Sequence, residues 1–122
     1  MSKILIVDDS ALSRRMLRTI LEGAGYTVVE AEDGLSALER FTIDRPDLTL
    51  LDLTMSGMHG FEVLEKLQEM DPGVKVIVAS ADIQKSSYEM AAARGGQGFI
   101  QKPFMADSVL EAVKNVLKGD SA

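Results

Sequence analysis

The sequence predicts an α/β domain, a doubly wound five-stranded parallel sheet with helices on both faces. Three observations predict it. Short apolar, β-branched runs alternate with longer stretches whose apolar residues recur at helical spacing, and this β–α pattern repeats five times. The short runs are continuous rather than alternating, as in strands buried on both faces. The chain has 122 residues, 46% hydrophobic and 26% charged, which suits one globular domain of common size, roughly 100–150 residues.

Taken in order, Lys3–Val7 is apolar, is ended by two aspartates, and reads as a buried strand. Ser10 is placed to cap the helix that follows, in which Leu12, Met16, Leu17, Ile20, Leu21 and Ala24 recur at helical spacing. Gly23 and Gly25 close it. Tyr26–Glu30 reads as the second strand. Asp33-Gly34 opens a helix carrying Leu35, Leu38 and Phe41, with Pro46 beyond its end. Asp47–Leu53 is the third strand, and Met55–Gly60 a Gly-containing loop. Phe61–Met70 is a helix with Val63, Leu64 and Leu67 inward, stopped by Asp71-Pro72-Gly73. Val74–Ala79 is the fourth strand, a helix is expected from about Gln84 to Arg94, and Phe99–Gln101 is a short fifth strand. The last helix runs from Met105 or Ala106 to Leu117, with Val109, Leu110, Val113, Val116 and Leu117 on one face. No linker, second domain or fixed-period repeat interrupts the pattern, so residues 1–122 are expected to form a single domain with no output domain after it.

Composition excludes several classes of function. With no cysteine there is no disulfide, thiolate nucleophile or cysteine-ligated metal. A net charge of −6 argues against nucleic acid, which needs clustered Lys and Arg. Arg14, Arg15 and Arg18 do cluster, and read as a solvated helix face before a docking surface. No apolar run approaches the roughly 18 residues of a membrane span, and nothing resembles a signal peptide. The expectation is a cytoplasmic protein that engages neither membrane nor nucleic acid.

In a parallel sheet all strands end on one edge, and ligands bind there at the switch point in strand order. The first strand ends in Asp8 and Asp9, the third near Asp52, the fourth in Ser80 and the fifth in Lys102. The second, ending at Glu30 and Ala31, offers nothing distinctive. In a flavodoxin-like (βα)5 order, 2-1-3-4-5, the first and third strands are neighbours, which would bring the three aspartates together with Ser80 and Lys102 along the rim. Crowded carboxylates repel unless a cation compensates them. A hard divalent ion such as Mg²⁺ takes oxygen ligands of this kind, and Lys102 supplies a point charge. Such a set suits phosphoryl chemistry. No GxxxxGK[ST] loop is present to hold a nucleotide, so the phosphoryl group is expected to arrive on another molecule.

With these residues in place the chain resembles the receiver domains of two-component response regulators, most closely the single-domain chemotaxis type. The likeness runs from Ile4-Leu5-Ile6-Val7-Asp8-Asp9 to the last helix. It rests on that aspartate pair, Asp52, Ser80-Ala81 and Lys102-Pro103-Phe104 together. The resemblance implies that Asp52 is the phosphoacceptor, that Asp9 binds Mg²⁺ directly with Asp8 acting largely through water, and that the Thr54 backbone carbonyl is a further ligand. It implies that Ser80 hydrogen-bonds the phosphoryl group, Lys102 pairs with it, and Phe99 is the aromatic switch. The Lys102-Pro103 bond would be cis. The donor would be a histidine kinase or a histidine phosphotransfer protein, and the output a protein target on the face made by the fourth helix, fifth strand and fifth helix. Autophosphorylation and autodephosphorylation would be the only intrinsic reactions, so the protein would not be an enzyme in the usual sense.

Two positions depart from the family's usual Met-Pro-x-Met-Asp-Gly: Ser56 stands for the proline and His59 for the aspartate. Both bear on the loop beside Asp52 rather than on the acceptor chemistry. His59, the single histidine, reads as a surface residue at a helix start, and Met55 and Met58 as packing residues. Three alternatives are weaker. A haloacid-dehalogenase-like phosphohydrolase would place Asp-x-Asp after the first strand. A pseudo-receiver that binds without phosphorylation would lack an acid or the lysine. A flavin-binding protein would carry a Ser/Thr-rich phosphate loop.

Overall fold

A computed structural model describes residues 2–53, 60–80, 92–93 and 95–118. The elements are β1 (Lys3–Val7), α1 (Ala11–Gly23), β2 (Thr27–Ala31), α2 (Gly34–Asp44), β3 (Leu48–Asp52), α3 (Gly60–Met70), β4 (Val76–Ser80), β5 (Gly98–Gln101) and α4 (Ala106–Leu117). The strands are all parallel and ordered β2-β1-β3-β4-β5, as the sequence predicts. Of the helix expected near Gln84–Arg94, only Ala92 and Ala93 are described, and both are helical. α4 is therefore the fifth helix of the sequence pattern.

Alternation along the strands sorts the core into two layers. Leu5, Val7, Leu51, Val76 and Val78 face α2 and α3, meeting Phe41, Val63, Leu64 and Leu67. Ile4, Ile6, Leu48, Leu50 and Ile77 face α1 and α4, meeting Leu17, Leu21, Val109, Val113 and Val116. Each fully buried aliphatic side chain contributes about 1.5–3 kcal/mol, so strands apolar on both sides hold the sheet between two helix layers.

The caps follow the sequence. Ser10 Oγ accepts from the Ser13 N–H and starts α1, and Asp33 Oδ1 accepts from the Ser36 N–H and starts α2. After α1 the chain reverses at Gly25, whose φ of 96° lies in the left-handed region that glycine enters without steric cost.

Two expectations are corrected. β4 begins at Val76 rather than Val74. Val74 is buried, but its N–H donates to the Asp71 carbonyl in a turn, so burial without a ladder bond lengthened the apparent strand. Leu12, Met16 and Leu35 share the helical apolar spacing yet are 67%, 39% and 72% exposed. Leu12 and Leu35 are each the second residue of their helix, and Met16 lies one turn further along α1. At the opposite edge, Ser2, Asp47, Lys75 and Leu117 line a shallow hollow, with Lys75 Nζ donating to the Leu117 carbonyl.

Candidate functional site: an acidic pocket at the carboxyl edge

β1 and β3 pair in register with Val7 opposite Leu51. Continuing one residue brings Asp8 beside Asp52. Oxygens of Asp8, Asp9 and Asp52 all lie within 4.8 Å of one another. Asp8 and Asp52 are each only 1% exposed, while Asp9 reaches the surface. Lys102, just past β5, extends over them. Its Nζ lies 3.0 Å from Asp8 Oδ2 and 3.3 Å from Asp52 Oδ2.

The details show how the pocket is held. The Ser10 N–H donates to Asp8 Oδ1 at 2.9 Å, fixing that carboxylate and leaving Oδ2 turned toward the ammonium. Asp8 Oδ2 lies in ion-pair contact with Lys102 Nζ at 3.0 Å. Lys102 Nζ also lies 5.9 Å from the centroid of the buried Phe104 ring, at the outer limit of a cation–π contact. The Lys102–Pro103 peptide is cis, as the resemblance implies. Gly60 opens α3 directly against the end of β3. A Cβ there would press into the Leu53 Cα and come within 2.7 Å of the Asp52 carbonyl oxygen. Only glycine lets α3 begin so close to the acidic strand end.

Charge in the pocket is unbalanced. Burial pushes the Asp8 carboxyl above its ordinary range and Asp52 adds repulsion, while the Ser10 N–H and Lys102 pull it back without cancelling the effect. Burial works against the Lys102 ammonium too, but the Asp8 and Asp52 carboxylates outweigh it and hold the lysine above its usual value. Among the described residues Lys102 pairs with two of the three clustered carboxylates, Asp8 and Asp52, and such a cluster attracts a further cation. Clustered oxygens with a buried Oδ2 fit a hard divalent ion such as Mg²⁺.

Ser80 ends β4 opposite Gln101, so its backbone sits on the same rim. Phe99, in β5, is half-buried and packs against the layer containing Leu5 and Val78. Thr54, Ser56, His59, Met55 and Met58 lie outside the described residues.

A second charged cluster stands beside the pocket, and sequence reasoning missed it. Arg14 Nε and Arg18 Nε donate to the two oxygens of Glu30 at 3.0 and 2.6 Å. Arg18 also meets Glu22 at 2.9 Å. Desolvation raises the Glu30 carboxyl, but the two guanidiniums prevail and its pKa is lowered. Arg14 Nη1 further donates to the Asp8 backbone carbonyl at 2.6 Å. Glu30 is therefore not the featureless strand end that its position suggests. Arg14 and Arg18 are not simply a solvated face. The available signal was an acid ending β2 and two arginines one helical turn apart.

Fold and pocket together define a flavodoxin-like α/β domain with an acidic, lysine-bearing edge at its switch point. A family model described as the response regulator receiver domain matches residues 4–114, and the chain belongs to that family. It is 42% identical over 119 residues to the chemotaxis protein CheY of Listeria monocytogenes, an alignment covering 97% of this chain and all of the relative. It is 36% identical over 115 residues to sporulation initiation phosphotransferase F of Bacillus subtilis, covering 94% of this chain and 93% of that protein. A chain of the CheX–CheY–BeF3–Mg²⁺ complex from Borrelia burgdorferi superposes with a TM-score of 0.90 at 30% identity, over 94% of this chain and 88% of that one. The chain is thus a phosphoryl-accepting receiver of two-component signalling, a signalling protein rather than a classical enzyme. The phosphohydrolase and pseudo-receiver alternatives are not favoured. No helix among the described residues is long and apolar enough to cross a membrane.

Proposed function

We propose that residues 1–122 act as a single receiver in which Asp52 takes the phosphoryl group. The observation that carries this reading is the placement of Asp52. Its carboxylate is buried at the switch point, 3.3 Å from the only described ammonium in the pocket, beside two more acids. In the transfer, an Asp52 carboxylate oxygen attacks the phosphorus of a phosphohistidine. The oxygen–phosphorus bond forms, the phosphorus–nitrogen bond breaks, and the imidazole leaves. Asp9, with Asp8 through water and the Thr54 carbonyl, would hold Mg²⁺, which when bound offsets negative charge on the phosphoryl oxygens. Lys102 pairs with one phosphoryl oxygen and the Ser80 hydroxyl donates to another. Phe99 responds by shifting its ring, and the face formed by the fourth and fifth helices of the pattern with β5 changes its affinity for a target protein. This is a population shift between two states. The donor is a histidine kinase or a phosphotransfer protein, and the working compartment is the cytoplasm. Water attack on the acyl phosphate, within the same pocket, returns the protein to rest.

Intact-mass measurement with acetyl phosphate and Mg²⁺ tests this assignment. The expected result is one added phosphoryl group, lost with EDTA and absent in Asp52→Asn. A stable adduct on Asp52→Asn, or none on the native chain, would overturn it.

A further inference from the structure

We propose that Arg14 is a positioning residue for the divalent-cation site, acting through the peptide that joins Asp8 to Asp9. The proposal rests on the reading of the acidic pocket as an Mg²⁺ site. Arg14 does not itself need to touch the ion.

β1 ends at Val7, and just beyond it the chain must present two acids to one small space. The Asp8 N–H is secured by the Ala31 carbonyl at 3.1 Å. The Asp8 carbonyl lies beyond the ladder, and Arg14 Nη1 takes it at 2.6 Å. A peptide unit is planar, so fixing its oxygen fixes the rotation that relates the Asp8 and Asp9 side chains. The guanidinium is itself braced: its Nε is bound to Glu30, and Glu30 is held from the other side by Arg18. The Arg14 side chain is only 15% exposed, which sets it apart from a loose surface pair. Donation in two directions from one planar fork is a property of arginine that a lysine ammonium does not reproduce. Hydrogen bonds that orient metal ligands typically change affinity 10–100-fold when removed.

Arg18 provides the internal control. It shares Glu30 with Arg14 but has no bond to the Asp8 carbonyl. Mg²⁺ affinity is measured by isothermal titration calorimetry, and Tm in EDTA alongside it, for the native chain, Arg14→Met, Arg14→Lys and Arg18→Met. Both Arg14 variants are expected to bind Mg²⁺ on the order of tenfold more weakly, with Lys giving no rescue. Arg18→Met is expected to lower Tm while holding native Mg²⁺ affinity within about twofold. Native affinity in either Arg14 variant, or an equal loss in Arg18→Met, would overturn the positioning role. Should Arg14→Met fail to fold, Arg14→Lys keeps the charge and stem and decides alone. A native chain that takes up no Mg²⁺ would overturn the reading of the pocket, and this proposal with it.

Discussion

Two charged clusters stand side by side on the carboxyl edge of the sheet, and they are built on opposite plans. Around Glu30, two guanidiniums converge on one carboxylate, each oxygen has its donor, and the acid is held below its ordinary range. In the neighbouring pocket three carboxylates crowd together, Lys102 is the one ammonium among the described residues that pairs with Asp8 and Asp52, and burial drives Asp8 above its range. The first arrangement suits a fixed joint. The second leaves an electrostatic need that something outside the chain can meet. Among the described residues, charged groups thus serve both to lock a joint around Glu30 and to gather acids at the strand ends.

The comparison breaks most sharply at Lys102. Lys102→Met removes the ammonium that lies 3.0 Å from Asp8 and 3.3 Å from Asp52. Urea unfolding in EDTA should show a loss of about 2–3 kcal/mol, because an unpaired buried charge costs several kcal/mol. Added Mg²⁺ should recover part of it. An unchanged midpoint in EDTA would mean that the lysine is not the pocket's main compensation.

Asp8→Asn should move stability the other way. The Asp8 carboxyl titrates above 3.8 in the folded state. Stability linked to it is fully present below the unfolded value and lost as pH rises through the folded one. At neutral pH the ionised acid is a liability that asparagine lacks. In EDTA the variant should be more stable by on the order of 1 kcal/mol, with the gain vanishing in acid and Mg²⁺ binding weakened. A loss of stability at neutral pH would contradict the imbalance.

Glu30→Gln carries the smallest effect and the opposite pH signature. The folded pKa of Glu30 lies below 4.5, so its contribution is present above that value and lost as pH falls through the folded one. Partly exposed pairs contribute about 0.5–1 kcal/mol. The variant should be less stable by that amount near neutrality, and the gap should close in acid. Parallel pH series on the two variants would separate the clusters: one difference is a gain and the other a loss, and both disappear at low pH.

Much of this was legible in the sequence. Strand runs such as Ile4–Val7, and Leu48–Leu51 but for Thr49, are apolar, so their burial and parallel order could be read directly. Asp8, Asp9, Asp52 and Lys102 were legible because parallel topology sends every strand end to one edge. Arg14 and Glu30 were only hinted at, by an acid late in β2 and two arginines one helical turn apart, because their contact depends on where α1 crosses the end of β2. The exposed Leu12 and Leu35 fail for a related reason: helical periodicity tells which side of a helix faces inward, but not how far along the helix that side is buried.

The hollow at the opposite edge has a practical consequence. Ser2 and Leu117 border it together, with Leu117 tied to Lys75. Ser2 and the end of α4 therefore share the rim opposite the one that carries Asp52. An affinity handle or fluorophore joined near either one would leave the mouth of the acidic pocket clear.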